Sequence, residues 1–101
     1  VSEATLEALG DGHYRVSGVL DAVTVPKLLQ ESTERLKAAG EELLIDLSAV
    51  TESDSAGLAL LIEWLRLARR RNQRVRFTNV PGQILALARI SEVEELINSG
   101  R

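Results

Sequence analysis

A chain of 101 residues with 45% hydrophobic content has enough apolar material for one core and too little for a core plus a deep, walled active site. Twelve Lys and Arg against 15 Asp and Glu leave a net charge of -3, which disfavours a nucleic-acid partner. With no Cys, disulfides and thiolate chemistry are excluded, which is compatible with a reducing cytosol without fixing the compartment.

The whole chain, 1–101, reads as a single domain. It contains no Met and need not begin at its biological terminus. Neither a signal peptide nor an apolar run of roughly 18 residues is visible, so no membrane insertion is expected and any link to a membrane passes through a partner.

In chain order, "ATLEAL" (4–9) and "HYRVSG" (13–18) flank the turn signal "GDG" and predict a β-hairpin. "TVPKLLQESTERLKAAG" predicts a helix: Thr24 is a candidate N-cap, Pro26 sits in the first turn, Val25, Leu28, Leu29, Leu36 and Ala39 recur on one side, and Gly40 ends it. "ELLIDL" (42–47) is almost continuously aliphatic, as expected of a central parallel strand covered on both faces. A polar loop, "SAVTESDS", leads to a second helix from about Ser55 to Arg71. Then follow a strand at "RVRFTN" (74–79), a helix from near Pro81 and a short terminal helix at "EVEELI". The order β-β-α-β-α-β-α-α predicts an α/β domain with a mixed sheet and helices largely on one face.

The second helix carries the sharpest signals. Asp54 or Ser55 is placed to cap it, and Gly57 permits close backbone approach. Because a strand delivers this loop to its carboxyl end, the loop stands where α/β sheets present ligands and contact surfaces. An anion there is expected to meet free amides and the positive end of the helix dipole. Projected at about 100° per residue, Gly57, Leu58, Leu61, Ile62, Leu65 and Ala68 form a core arc. Leu60, Trp64 and Leu67 widen it, leaving Glu63, Arg66 and Arg70 as a narrow polar strip. Either a neighbouring helix covers this extra stripe or a partner does, and a lone Trp flanked by leucines and rimmed by Arg has the composition of an interface anchor. Arg69, Arg70 and Arg71, with Arg74 and Arg76 nearby, suit a solvated helix end.

Nothing points to catalysis. His13 stands alone, Asp46 and Asp54 are a poor acid pair, Asp21 suits a cap or turn, and no glycine-rich phosphate loop is present. No catalytic residue, metal or cofactor is expected.

"LLIDLSAVTESDSAGLALLIEWLRLARRRNQRVRFTNVPGQILALARI" resembles the STAS domain, the family of sulfate-transporter cytoplasmic domains and bacterial anti-sigma factor antagonists. The resemblance rests on a strand, "D-L-S-x-V", a polar loop, "D-S-A-G-L" and a long helix, and "VSGVLDAVTVPKLLQ" extends it. It implies the SpoIIAA-like α/β fold. Within the family, "DSAGLALLIEWLRLARRR" and "ILALARISEVEELI" are most similar to the small stand-alone, MlaB-type STAS subunits of Mla phospholipid transporters. That likeness implies a cytoplasmic subunit, peripheral to the inner membrane, that binds the ATPase of an ABC transporter. The complex would also hold a permease and membrane-anchored lipid-binding subunits, and would maintain outer-membrane lipid asymmetry. Ser55 falls where antagonists carry the phosphorylated hydroxyl and where the transporter subunit contacts its ATPase. Ala56 departs from the Ser or Gly frequent there. The implied docking surface is Asp54, Ser55 and Gly57 with Leu60, Trp64 and Leu67. The alternative is a partner-switching anti-sigma factor antagonist controlled by phosphorylation of Ser55.

Overall fold

The computed structural model describes residues 3–99. Strand β1 (Ala4–Gly10) turns through Asp11 and Gly12 into β2 (His13–Leu20), as the hairpin signal predicts. Gly10, Asp11 and Gly12 all adopt positive φ, and a Cβ on Gly12 would lie 2.5 Å from the Glu42 carbonyl oxygen. The antiparallel register sets Leu6 opposite Val16, both buried, and Glu7 opposite Arg15 on the other face.

Helix α1 (Thr24–Lys37) begins one residue differently from the sequence expectation. Thr24 is its first helical residue, and Asp21 caps it instead: Asp21 Oδ1 accepts from the Val23 and Thr24 amides, each at 2.9 Å. The Thr24 hydroxyl, buried in the junction, donates to the Val19 carbonyl at 2.7 Å. At the other end, Gln73 Nε2 closes the helix by donating to the carbonyls of Leu36 at 2.8 Å and Gly40 at 2.7 Å.

Strand β3 (Glu42–Ser53) runs parallel to both β2 and β4 (Arg74–Thr78), giving the sheet order β1-β2-β3-β4. It is interior to the sheet but covered on one face only. Leu43, Ile45 and Leu47 are buried, whereas Leu44 and Asp46 are half-buried and Ser48 is exposed. The uncovered face solvates itself with a charged ladder from Glu7 through Arg15 to Asp46. The polar stretch expected to be a loop continues the strand to Ser53 through two irregularities in the pairing with β2. Backbone pairing is indifferent to the polarity of exposed side chains, and Asp46 supports the first irregularity by accepting from the Ser48 amide and hydroxyl, both at 2.9 Å.

Helices α2 (Ser55–Arg70), α3 (Gly82–Ile90) and α4 (Glu94–Ser99) complete the fold. On α2 the expected core arc is buried, with Ile62 only half-buried. The widened stripe is not offered to solvent: Leu60 is 1% exposed and Trp64 2% exposed. Helix α1 packs on this side of α2 and covers Trp64. Ser32, fully buried on α1, accepts a hydrogen bond from Trp64 Nε1 at 3.2 Å and donates to the Leu29 carbonyl. Leu28, Ser32 and Leu36 lie four residues apart on one helix face, so a small polar residue sits where an apolar one would continue the stripe. It leaves room for the indole and satisfies its N–H. Leu67, at the margin, is half-buried.

Replacing Trp64 with Ala should therefore behave as a core truncation. Urea denaturation is expected to show a loss of about 3–5 kcal/mol, a large part of the total stability of a domain this size. A loss below about 1 kcal/mol would contradict the packing described.

Candidate functional site

β3 ends at the carboxyl edge of the sheet, where Asp54 hands the chain to α2. The Asp54 amide donates to the Leu20 carbonyl at 3.2 Å, tying the junction to the end of β2. Asp54 itself is extended (φ -115°, ψ -160°), and its Oδ1 accepts from the Ala56 amide at 2.8 Å while its carbonyl accepts from the Gly57 amide at 3.0 Å. Asp54 is thus the N-cap and Ser55 the first helical residue. Among the described residues no hydrogen bond engages the Ser55 hydroxyl, and the residue is exposed. Capping therefore falls to the carboxylate and leaves the hydroxyl free for other chemistry.

Gly57, buried beneath this turn, has a steric reason to be glycine. A Cβ there would fall on Ser53 Oγ and come within 3.2 Å of Ile84 Cδ1, so the missing side chain lets α2 close on both β3 and α3. Gln83, in the first turn of α3, adds a second clamp by accepting from the Ser53 amide at 3.0 Å. Sequence reasoning passed over Gln83, since a single polar residue after Pro81 and Gly82 carries no spacing signal. Its partner is a backbone amide thirty positions away.

A shallow depression of about 290 Å³ opens beside Ser55, lined by Asp21, Glu52, Asp54, Gln83 and the ends of β2 and β3. No basic residue lines it. The expectation that an anion at Ser55 meets free amides needs revision, because Asp54 already holds the Ala56 and Gly57 amides and adds its own negative charge. Along the outward side of α2 follow Ser55, Ala59, Glu63, Arg66 and Arg70, spaced 4, 4, 3 and 4 apart. Arg66 Nε donates to Glu63 at 2.8 Å, and that bond holds the Glu63 carboxyl below its ordinary range. Of the six residues expected at a docking surface, Asp54 and Ser55 lie on it, Gly57 supports it from below, Leu67 borders it, and Leu60 and Trp64 belong to the interior.

The remaining candidates stay apart. His13 is exposed at the start of β2, and no group of carboxylates or histidines suited to a metal occurs among the described residues. Asp46 is on the open sheet face, where the Asn79 amide at 2.9 Å and the Ser48 backbone hold its carboxyl below its ordinary range. Through Asn79 it pins the turn between β4 and α3.

A mixed sheet with helices on one face, presenting a shallow surface and an accessible hydroxyl at the start of its second helix, defines a small two-layer α/β domain. The chain belongs to the STAS domain family: the family model described as "Mlab, STAS domain" matches residues 5–98. Among solved structures, the anti-sigma factor antagonist SpoIIAA in its unphosphorylated form shares the fold, with a TM-score of 0.71 at 15% identity. The match covers 93% of this chain and 84% of that one. No curated protein matches the chain significantly. STAS domains are in general binding and regulatory modules, and among the described residues no helix is long and apolar enough to cross a membrane.

Two outcomes follow from this geometry. Asp54→Ala should cost about 1 kcal/mol in chemical denaturation as the cap is lost, while Ser55→Ala should stay within about 0.5 kcal/mol of wild type. The reverse order would reassign the cap. The bonds to Asp46 favour its ionised form, so the unfolded chain takes up a proton there before the folded one does. Their contribution is complete above the ordinary carboxylate range and fades as pH falls through it. The gap in melting temperature between wild type and Asp46→Asn should accordingly narrow on acidification, as thermal melts across pH 3 to 7 would reveal.

Proposed function

We propose that this domain is the non-catalytic STAS subunit of an Mla-type ABC phospholipid transporter. It binds the ATPase subunit, within a complex that also holds the permease and membrane-anchored lipid-binding subunits. In this role it supports assembly and activity in maintaining outer-membrane lipid asymmetry, works in the cytoplasm peripheral to the inner membrane, and uses no cofactor and no nucleic acid. The reading is carried by one observation: the MlaB-described family match, over residues 5–98, spans the Ser55 junction and α2. The free, exposed hydroxyl of Ser55 supports a contact role there. Because Leu60 and Trp64 are buried, the contact in this reading is the outward side of α2, from Asp54 and Ser55 past Ala59 to the Leu67 margin.

A second reading is favoured by that same hydroxyl. As a partner-switching antagonist, the domain would bind an anti-sigma kinase and be released when Ser55 is phosphorylated, the added charge of about -2 meeting Asp54 and Glu52. Fold likeness to SpoIIAA is compatible with it.

Co-purification from the native host separates the two. Wild type should retain the ATPase subunit, and Ser55→Glu and Ala59→Arg, both folded by circular dichroism, should retain at least about tenfold less. Undiminished capture by both variants would overturn the surface, and capture of a histidine-kinase-like protein in place of the ATPase would select the second reading.

A further inference from the structure

The run of arginines after α2 does not stand alone in space. Helices α1 and α2 end, and strands β3 and β4 begin, at the pole of the domain opposite Ser55. Hydrogen bonds draw these segments together: the Arg74 amide donates to the Glu41 carbonyl at 2.7 Å, and the Arg71 guanidinium to the Thr33 carbonyl at 3.4 Å. Lys37, Arg69, Arg70, Arg71 and Arg74 thereby gather at one end, against Glu41 and Glu42.

Their engagement differs. Arg71 is half-buried and tied to α1, and Arg74 pairs with Glu42 at 3.6 Å. Arg69 and Arg70 are exposed, and neither joins a salt bridge among the described residues, though the Arg70 charge adds to that of Arg66 in favouring the ionised Glu63. At the other end of the same helix the charge is opposite, with Glu52 and Asp54 beside Ser55. The 16 residues of α2 separate the two ends by about 24 Å at a rise of 1.5 Å per residue. That distance exceeds the Debye length of about 8 Å at physiological salt, so a partner lying along the helix feels two separate fields of opposite sign.

We infer that Arg69 and Arg70 dock a carboxylate-rich segment of the protein that covers the outward side of α2. The charge order along the helix also sets the orientation of that partner, acidic at the Arg69–Arg70 end. Guanidinium groups form planar, bidentate pairs with carboxylates, which gives such a contact direction as well as attraction. An extended polyanion is the poorer occupant. The whole chain carries -3, so a membrane surface or nucleic acid meets net repulsion beyond the local patch, whereas a compact acidic segment stays within the screening length of the two arginines. The inference rests on the proposed ATPase partner and specifies how that partner is held.

The test is titration of purified ATPase subunit into wild type, into Arg69→Glu with Arg70→Glu, and into Arg69→Gln with Arg70→Gln, at two salt concentrations. The glutamine pair should melt close to wild type and the glutamate pair somewhat lower, since it places like charge at the negative end of α2, with both folded by circular dichroism. The glutamate pair should bind at least about tenfold more weakly and with a flatter salt dependence, with the glutamine pair in between. Wild-type affinity and salt dependence in both pairs would overturn the inference while leaving the ATPase as partner. Absence of ATPase binding by wild type would overturn both. Vesicles of phosphatidylglycerol serve as the second probe. Binding of wild type to them that the glutamate pair abolishes, with ATPase affinity unchanged, would assign the arginines to lipid and likewise overturn the inference.

Discussion

Three strands running in the same direction constrain everything else in this molecule. β2, β3 and β4 are parallel, so β3 and β4 must each be reached by a crossover, and crossovers of the usual right hand return on one side of the sheet. Helices α1 and α2 are those crossovers. They bury one face of β3 and leave the other to a charged ladder, and they send every strand-to-helix junction to the same carboxyl edge. The Ser55 junction stands where it does because of this constraint.

Once two helices share one face of a small sheet, they must also pack on each other. The contact between α1 and α2 is closed by a tryptophan and a serine rather than by hydrocarbon alone. Trp64 fills the space between the helices, and Ser32 both makes that space and receives the indole N–H. A buried polar pair of this kind is tolerated because each member is satisfied, Ser32 through the Leu29 carbonyl as well. The breadth of the apolar arc on α2 thus reflects a helix in the middle of a layer, with the sheet beneath it, α1 on one side and α3 packed against it.

What remains outward on α2 is narrow and electrically ordered. Asp54 occupies the amides at its start, so Ser55 is released from structural duty, and Gly57 and Gln83 hold the junction against β3 and α3. A charge added to Ser55 enters a region already negative rather than a vacant anion cradle. Fifteen residues on from Asp54, in the last turn of α2, the sign reverses at Arg69 and Arg70, which gives this face a direction along the helix axis.

The element order, the hairpin, the helix limits and the family resemblance were legible in the sequence alone, because turn glycines, caps and apolar periodicity are local signals. So was the place of Ser55 at the head of α2. Three features were decided only in three dimensions. Which side of the wide apolar arc faces a neighbour depends on Ser32, a polar residue that no hydrophobic pattern includes. The length of β3 depends on backbone pairing with β2, to which the polarity of "SAVTES" is irrelevant. The identity of the cap at Asp54 and the role of Gln83 depend on hydrogen-bond geometry at a junction of separate segments. Periodicity reports how much hydrocarbon a helix must hide; only the tertiary structure decides what hides it.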